Sequence, residues 1–139
     1  MELSKIHQLE KAMVLLLNFE GWELEWTGEG SERWDAKGKT QKGFDCVIEM
    51  KFRKKYYETK MLEQEKYNAL MKLDKDIIKI YLVNDTKGNF LYHLNTLKMP
   101  ETIKKYCPQT TIWNGKKVLK DVYLLEENDA IRINLNKSY

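Results

Sequence analysis

Gly43-Phe44-Asp45-Cys46-Val47-Ile48-Glu49-Met50-Lys51-Phe52-Arg53 is the stretch whose reading decides the fold. Its centre is an apolar run rich in β-formers, which predicts a buried strand. Successive side chains on a strand point to opposite faces, so Glu49 and Lys51 share one face while Ile48, Met50 and Phe52 share the other. A carboxylate and an ammonium inside a sheet cost free energy unless they are paired or bind an ion. The stretch is therefore either a strand flanked by a structural ion pair or a strand with a charged site built into it. The acid-x-lysine pattern recurs at Asp35-Ala36-Lys37, Glu58-Thr59-Lys60 and Asp85-Thr86-Lys87, but only Glu49-Met50-Lys51 lies inside a strongly apolar run.

Outward from that strand, 139 residues suffice for one domain with a real core. With 42% hydrophobic and 32% charged residues the chain reads as an ordinary soluble protein. A net charge of +3 sets up no field that demands a polyanionic partner. Positive charge is nevertheless clustered, at Lys51, Arg53, Lys54 and Lys55 and at Lys37, Lys39 and Lys42. Cys46 and Cys107 form neither a disulfide framework nor a metal-ligand spacing, and Cys46 reads as a small buried hydrophobe. No apolar run is long enough to cross a membrane and the start lacks a signal-peptide pattern, so a reducing cytoplasm is expected.

Upstream, Ile6, Leu9, Met13, Leu16 and Leu17 recur at helical spacing, with Ser4 as a candidate N-cap and Gly21 as a candidate C-cap. Glu10 projects from the edge of the apolar face, either reaching solvent or pointing at something cationic beneath the helix. His7, near the helix start, reads as solvated. Residues 21–26 and 32–37 read as strands separated by a turn at Gly28-Glu29-Gly30-Ser31, the second carrying Trp34 and Asp35. A glycine-bounded basic loop, residues 38–43, then leads into the central strand, so the three strands form an antiparallel meander.

Downstream, residues 58–73 read as a second helix with an apolar stripe of Leu62, Ala69, Leu70 and Leu73. Lys66 falls inside that stripe, as a long stem with a wet head or as a cation reaching an anion at the sheet's end. Residues 77–83 and 89–94 form a strand pair joined by a turn. The helix before residue 77 permits a crossover that lays this strand parallel to the central one. His93 is a lone histidine. Beyond Pro100 a short helix over residues 101–106 is expected, then a hairpin at Asn114-Gly115 between residues 110–113 and 117–119, then strands at 122–125 and 130–135.

The order helix, three strands with Glu49-Met50-Lys51 on the third, helix, two strands resembles the restriction-endonuclease-like fold of the PD-(D/E)XK nuclease superfamily. Asp35 and Glu49-Met50-Lys51 carry the resemblance, and Glu10 and Lys66 fall where many members have supporting polar residues. The short form looks most like small phage-type nucleases. The resemblance covers residues 1–97; residues 98–139 read as a β-rich extension packed on the same domain. Trp34 stands where the family name puts proline. The implied fold is an α/β domain, an αβββαβ core with a mixed central sheet flanked by helices.

What the resemblance implies is a nuclease that hydrolyses DNA phosphodiester bonds with Mg²⁺ or Mn²⁺. Asp35, Glu49 and the Met50 carbonyl would hold the metal, a hard cation that takes a few oxygens and keeps several waters. Lys51 would orient or deprotonate the attacking water or neutralise the phosphate, with Glu10 holding a water on the metal or Lys51 itself. Lys66 or Gln64 would contact phosphate. Asp45 is the rival for the first carboxylate, since it shares the parity of Glu49. Four residues at about 3.3 Å each, however, part the two by about 13 Å. An acid on a neighbouring strand can lie about 5 Å away, which favours Asp35.

DNA would be held by Lys37, Lys39 and Lys42 and by Arg53, Lys54 and Lys55, with Tyr56 and Tyr57 stacking on sugars or bases. Such lysines position a backbone without reading sequence. A solvated charged rim is the plainer reading of each of them. Nucleases of this kind often pair up to cut both strands, so a homodimer joined through the trailing β-rich segment is a further expectation, in a host cytoplasm if the protein is phage-encoded. The alternative function is a module on a nuclease fold that grips nucleic acid without cutting it.

Overall fold

The computed structural model describes residues 2–108 and 116–134. In chain order the elements are α1 (Leu3–Phe19), β1 (Glu23–Trp26), β2 (Ala36–Lys39), β3 (Asp45–Phe52), β4 (Thr59–Glu63), α2 (Gln64–Met71), β5 (Ile78–Asp85), β6 (Gly88–His93), β7 (Ile103–Pro108), β8 (Lys117–Glu126), a 3₁₀ turn (Glu127–Asp129) and β9 (Ile131–Ile133). Six strands form the main sheet in the order β1-β2-β3-β5-β6-β9, and three form a second sheet in the order β4-β8-β7. β3 and β5 run parallel and every other pair is antiparallel. The central strand and its parallel crossover partner thus lie where the apolar pattern puts them. Among the described residues no helix is long and apolar enough to cross a membrane.

Alternation along β3 and β5 sorts the core into two layers. Ile48, Met50, Ile80 and Leu82 face Met13, Val14 and Leu17 of α1. Val47, Tyr81 and Val83 face Leu70 of α2 and Leu62, Tyr123 and Leu125 of the second sheet. Leu17, Ile48, Ile80 and Leu82 are at most 2% exposed, so each contributes about 1.5–3 kcal/mol of apolar burial. At the margin of the sheet, Gly38 lets β1 close on β2. A Cβ there would stand 1.9 Å from the Glu23 carbonyl oxygen, so only glycine fits this crossing.

Four segments differ from their sequence patterns. Residues 59–63 are strand β4 and not the first turns of a helix, because Lys60 and Leu62 alternate inward and the segment pairs with residues 122–126 of β8. Residues 103–108 form β7 in place of the expected helix over 101–106, again through pairing with β8. β2 starts at Ala36, four residues later than its pattern suggested, and it takes in Gly38 and Lys39 from the expected loop. The two short strands expected over residues 117–125 are one strand, β8. In each case hydrogen-bonded partners distant in sequence override local propensity.

Smaller differences lie at helix ends. α1 begins at Leu3 with Glu2 as its cap residue, whose carbonyl accepts the Lys5 and Ile6 amides, so Ser4 lies inside the helix. Gly21, at φ +104°, ends it as expected. The Asn114-Gly115 hairpin signal and residues 110–113 lie outside the described residues. β8 and β9, beyond residue 97, pair with β4 and β6.

Candidate active site

β2 pairs with residues 45–48 of β3 and then stops, whereas β5 follows β3 as far as Phe52. From Glu49 onward β3 therefore has a strand on one side only. The Asp35 side chain fills the vacated place. Its amide still donates to the Ile48 carbonyl at 2.9 Å, and its Oδ2 accepts the Met50 amide at 2.7 Å, where a continuing β2 would have offered a carbonyl. The N–H and C=O of one strand residue point to the same side. The Met50 carbonyl thus faces the same notch as the Asp35 carboxylate.

Glu49 and Lys51 project from β3 on the face covered by α2, as their parity requires. Glu49 is buried, and Lys66 of α2 brings its Nζ to 3.2 Å from Glu49 Oε1. Lys66 does reach an anion from within its apolar stripe. Glu10 arrives from α1 on the opposite face. It is buried and accepts the Trp26 indole N–H at 2.9 Å, so it does not reach solvent. The notch lets residues from both faces meet around one bare stretch of backbone.

Burial raises all three acids, and the charge of Asp35 adds to it for Glu10 and Glu49. Glu10 is pushed up to about 7 by burial and then by the charge of Asp35, against the pull of the Trp26 indole N–H. Glu49 is likewise pushed up to about 7, first by burial, with Lys66 pulling it down and Asp35 and Glu10 pushing it up. Asp35 is raised by burial despite the Met50 amide and the cations Lys66, His7 and Lys51. Lys51 is lowered by burial and by the neighbouring charges of Lys66 and Arg53. Lys66 is held above its usual range because Glu49 and Glu63 outweigh its burial.

Glu63 was not singled out by the sequence. Its two oxygens meet Lys120 of β8 at 2.7 Å and Lys66 at 3.6 Å, and this pairing overrides its burial and lowers its pKa. Glu63 lies at the β4–α2 junction, and neither partner's proximity can be read from local pattern. A small cavity of about 20 Å³, room for about one water, opens between Glu49, Lys51, Arg53, Glu63, Lys66 and Tyr81. Gln64 donates to the Tyr123 hydroxyl at 3.3 Å, so α2 presents Lys66, not Gln64, to the acids.

The other expected residues are more dispersed. Asp45 is largely exposed and pairs with Lys39 at 3.0 Å, at the start of β3. Lys37 is engaged by Glu32 at 2.5 Å and Glu25 at 3.7 Å. Lys42, Lys54 and Lys55 are exposed, and Arg53 stacks over Tyr57 at 5.7 Å. Tyr56 hydrogen-bonds Glu127 and lies under Lys60 and Lys87, which occupies its ring. His7 is only 19% exposed and sits edge-on to Trp26 at 5.0 Å, so it is not the solvated histidine its position suggested. Trp34 packs on the second core layer with its indole N–H unpartnered.

Among the described residues, no three Asp, Glu, His or Cys side chains are gathered as a ready metal-ligand set. Two carboxylates and a carbonyl suit one kind of ion. Mg²⁺ binds through one or two carboxylates and keeps its remaining waters, while structural Zn²⁺ needs four nitrogen or sulfur ligands. Asp35, Glu49 and the Met50 carbonyl fit Mg²⁺ or Mn²⁺ on these grounds, and the raised acids gain from a dication's charge.

No protein-family model and no curated protein matches the sequence. Among solved structures the chain is similar to Hjc, a Holliday junction resolvase from the archaeal hyperthermophile Archaeoglobus fulgidus. The TM-score is 0.61 at 12% identity, over 91% of this chain and 89% of that one. At that identity the likeness speaks for architecture, and it extends past residue 97 into the trailing strands. With a half-paired β3 carrying Glu49-Met50-Lys51 and Asp35 closing its open side, the chain adopts a Hjc-like, restriction-endonuclease-like fold.

Proposed function

We propose that the protein is a divalent-metal-dependent nuclease that hydrolyses DNA phosphodiester bonds. The observation that carries this reading is the gathering of Glu10, Asp35 and Glu49, all raised by burial, around the open half of β3 beside Lys51 and Lys66. A purely structural role would match acids to bases; here Lys66 pairs directly with Glu49, while Glu10 is held by the Trp26 indole N–H and Asp35 by the Met50 amide. The likeness to a resolvase fold supports the same reading.

Asp35, Glu49 and the Met50 carbonyl would hold the cation, which when bound supplies charge neutralisation at the phosphate and a more acidic water. The remaining work falls to the chain. Lys51, biased toward its neutral form, can accept a proton from the attacking water or donate a hydrogen bond to a phosphate oxygen. Lys66 draws Glu49 toward its ionised form against the effect of burial, and Glu63 keeps Lys66 within reach. Glu10, anchored by Trp26 and raised by burial and by Asp35, can take up a proton. Arg53 stands at the mouth of the cavity, beside the exposed Lys54 and Lys55.

A plasmid-nicking assay with Mg²⁺ or Mn²⁺ tests this. Asp35→Ala, Glu49→Ala and Lys51→Ala should each abolish cleavage, while Asp45→Ala keeps most of it. Salt-dependent DNA binding without cleavage by the wild type would make the protein a gripping module instead. Loss of activity in Asp45→Ala but not in Asp35→Ala would mean that the wrong carboxylate has been assigned.

A further inference from the structure

The hairpin strands β7 and β8 outrun the sheet they belong to. β4 pairs only with residues 122–126 of β8, while β7 pairs with residues 117–122. Over residues 104–108 and 117–121 the second sheet is thus a two-stranded ribbon, with Lys104, Lys105, Tyr106, Pro108, Lys117 and Leu119 exposed. Residues 103–121 carry five lysines and one aspartate, a net +4 in a chain whose total is +3. All of the protein's net positive charge therefore resides in this one hairpin.

Lysines on exposed strands also serve to discourage edge-to-edge pairing, and that role alone would account for a charged ribbon. It does not account for Tyr106 and Leu119. These stand opposite each other in register, 71% and 52% exposed, in the middle of the lysines. An exposed aromatic–aliphatic pair invites association, so a ribbon shaped only to stay unpaired would not present it. Cations around a ring that can stack on a base or sugar form a nucleic-acid surface. The dimensions agree. Two strands about 5 Å apart fit a major groove about 12 Å wide, which admits a two-stranded ribbon.

The ribbon is rooted at the acid cluster. On the face shared by Lys105 and its cross-strand partner Lys120, Lys120 binds Glu63, whose other oxygen meets Lys66, itself 3.2 Å from Glu49. A duplex gripped by the ribbon would lie with its backbone leading toward the notch in β3. We infer that the β7–β8 ribbon is the protein's principal DNA-gripping arm, inserting into a duplex groove with Lys104 and Lys117 on phosphates and Tyr106, on the same face, against the groove interior. This rests on the nuclease reading and adds to it the surface that supplies most of the affinity.

The test is fluorescence anisotropy with a labelled duplex of about 30 base pairs in EDTA, titrated across salt concentrations; each phosphate-contacting lysine lost lowers the salt slope by about one. Lys104→Ala with Lys117→Ala should lower the slope by about two and weaken binding at least tenfold at moderate salt. The control is Lys72→Ala with Lys75→Ala, which removes the same charge from exposed positions near the opposite end of β3 from Glu49 and should leave the slope unchanged. Tyr106→Ala with Leu119→Ala should weaken binding without changing the slope. In steady state the ribbon lysine variant should raise KM and leave kcat alone. Ribbon variants that bind as tightly as wild type would overturn the assignment and leave the nuclease reading standing. Equal losses from the control pair would overturn it too, as would a change in sedimentation mass with DNA affinity intact, which would make the ribbon a contact with a second copy. A wild type that binds no duplex at all would sink the nuclease reading along with it.

Discussion

Lys60 and Lys66 each meet a buried carboxylate, but their surroundings are opposite. Lys60 and Asp85 are 2% exposed apiece and 2.8 Å apart, on the apolar side of β4. The Lys60 ammonium also donates to the Tyr57 carbonyl at 2.6 Å and lies over the rings of Phe90 and Tyr56. Lys66 is 39% exposed and faces Glu49 and Glu63 together, with Asp35 and Glu10 behind Glu49. The first site is balanced, closed and saturated with partners. The second leaves Glu10 and Asp35 to neutral N–H donors and opens to solvent. A buried pair that leaves nothing unsatisfied is architecture, whereas acids raised by burial and held by neutral donors are poised for a cation or a proton.

The largest expected effect tests the closed site. Lys60→Ala strands Asp85 and should lower unfolding free energy by about 3–5 kcal/mol in urea denaturation. Replacing both partners together, as Lys60→Met with Asp85→Leu, should recover most of that loss. If Lys60→Ala proves harmless, the contrast between the two sites dissolves.

A smaller effect tests the open one. Glu10 and Glu49 have folded pKa values raised to about 7 from an ordinary value of 4.5. Between those values the folded state binds more protons than the unfolded chain, so unfolding free energy falls as pH rises through that window. In EDTA the melting temperature should therefore drop between pH 5 and pH 7 by the share these two acids contribute. Glu49→Gln should flatten the decline and raise stability at neutral pH. A melting temperature that climbs with pH equally in wild type and variant would show that the acids are neutralised after all.

The smallest effect concerns the exposed acid on β3. Asp45→Asn removes a surface pair with Lys39 and should change stability by no more than about 0.5 kcal/mol, read by the same denaturation curves.

Much of the open site was legible in the sequence. The parity of Glu49, Met50 and Lys51 on an apolar strand sets which side chains line the small cavity and which enter the core, and the structure keeps that division. Asp35 was preferred to Asp45 on distance alone, and it is Asp35 that meets β3 beside Glu49. The burial of Glu10 was hidden, since the indole that receives it is sixteen residues away on β1. The closed site was misread altogether. Thr59-Lys60-Met61-Leu62-Glu63 has helix-tolerant residues and an amphipathic look, and only β8, some sixty residues on, makes it a strand. β7 was misread for the same reason. Patterns confined to one element are visible in a sequence, while those completed by a distant partner are not.

Where β2 begins has a consequence for engineering. If residues 33–35 were induced to extend that strand, the Met50 amide would find a main-chain acceptor in place of the Asp35 carboxylate. Each added rung would contribute about 0.5–1.5 kcal/mol. The zipped sheet would be sturdier, with Met50 capped on both polar atoms and Asp35 turned aside. On the proposed nuclease reading, thermal robustness and turnover pull the first residues of one short strand in opposite directions, and a design that lengthens it trades one for the other.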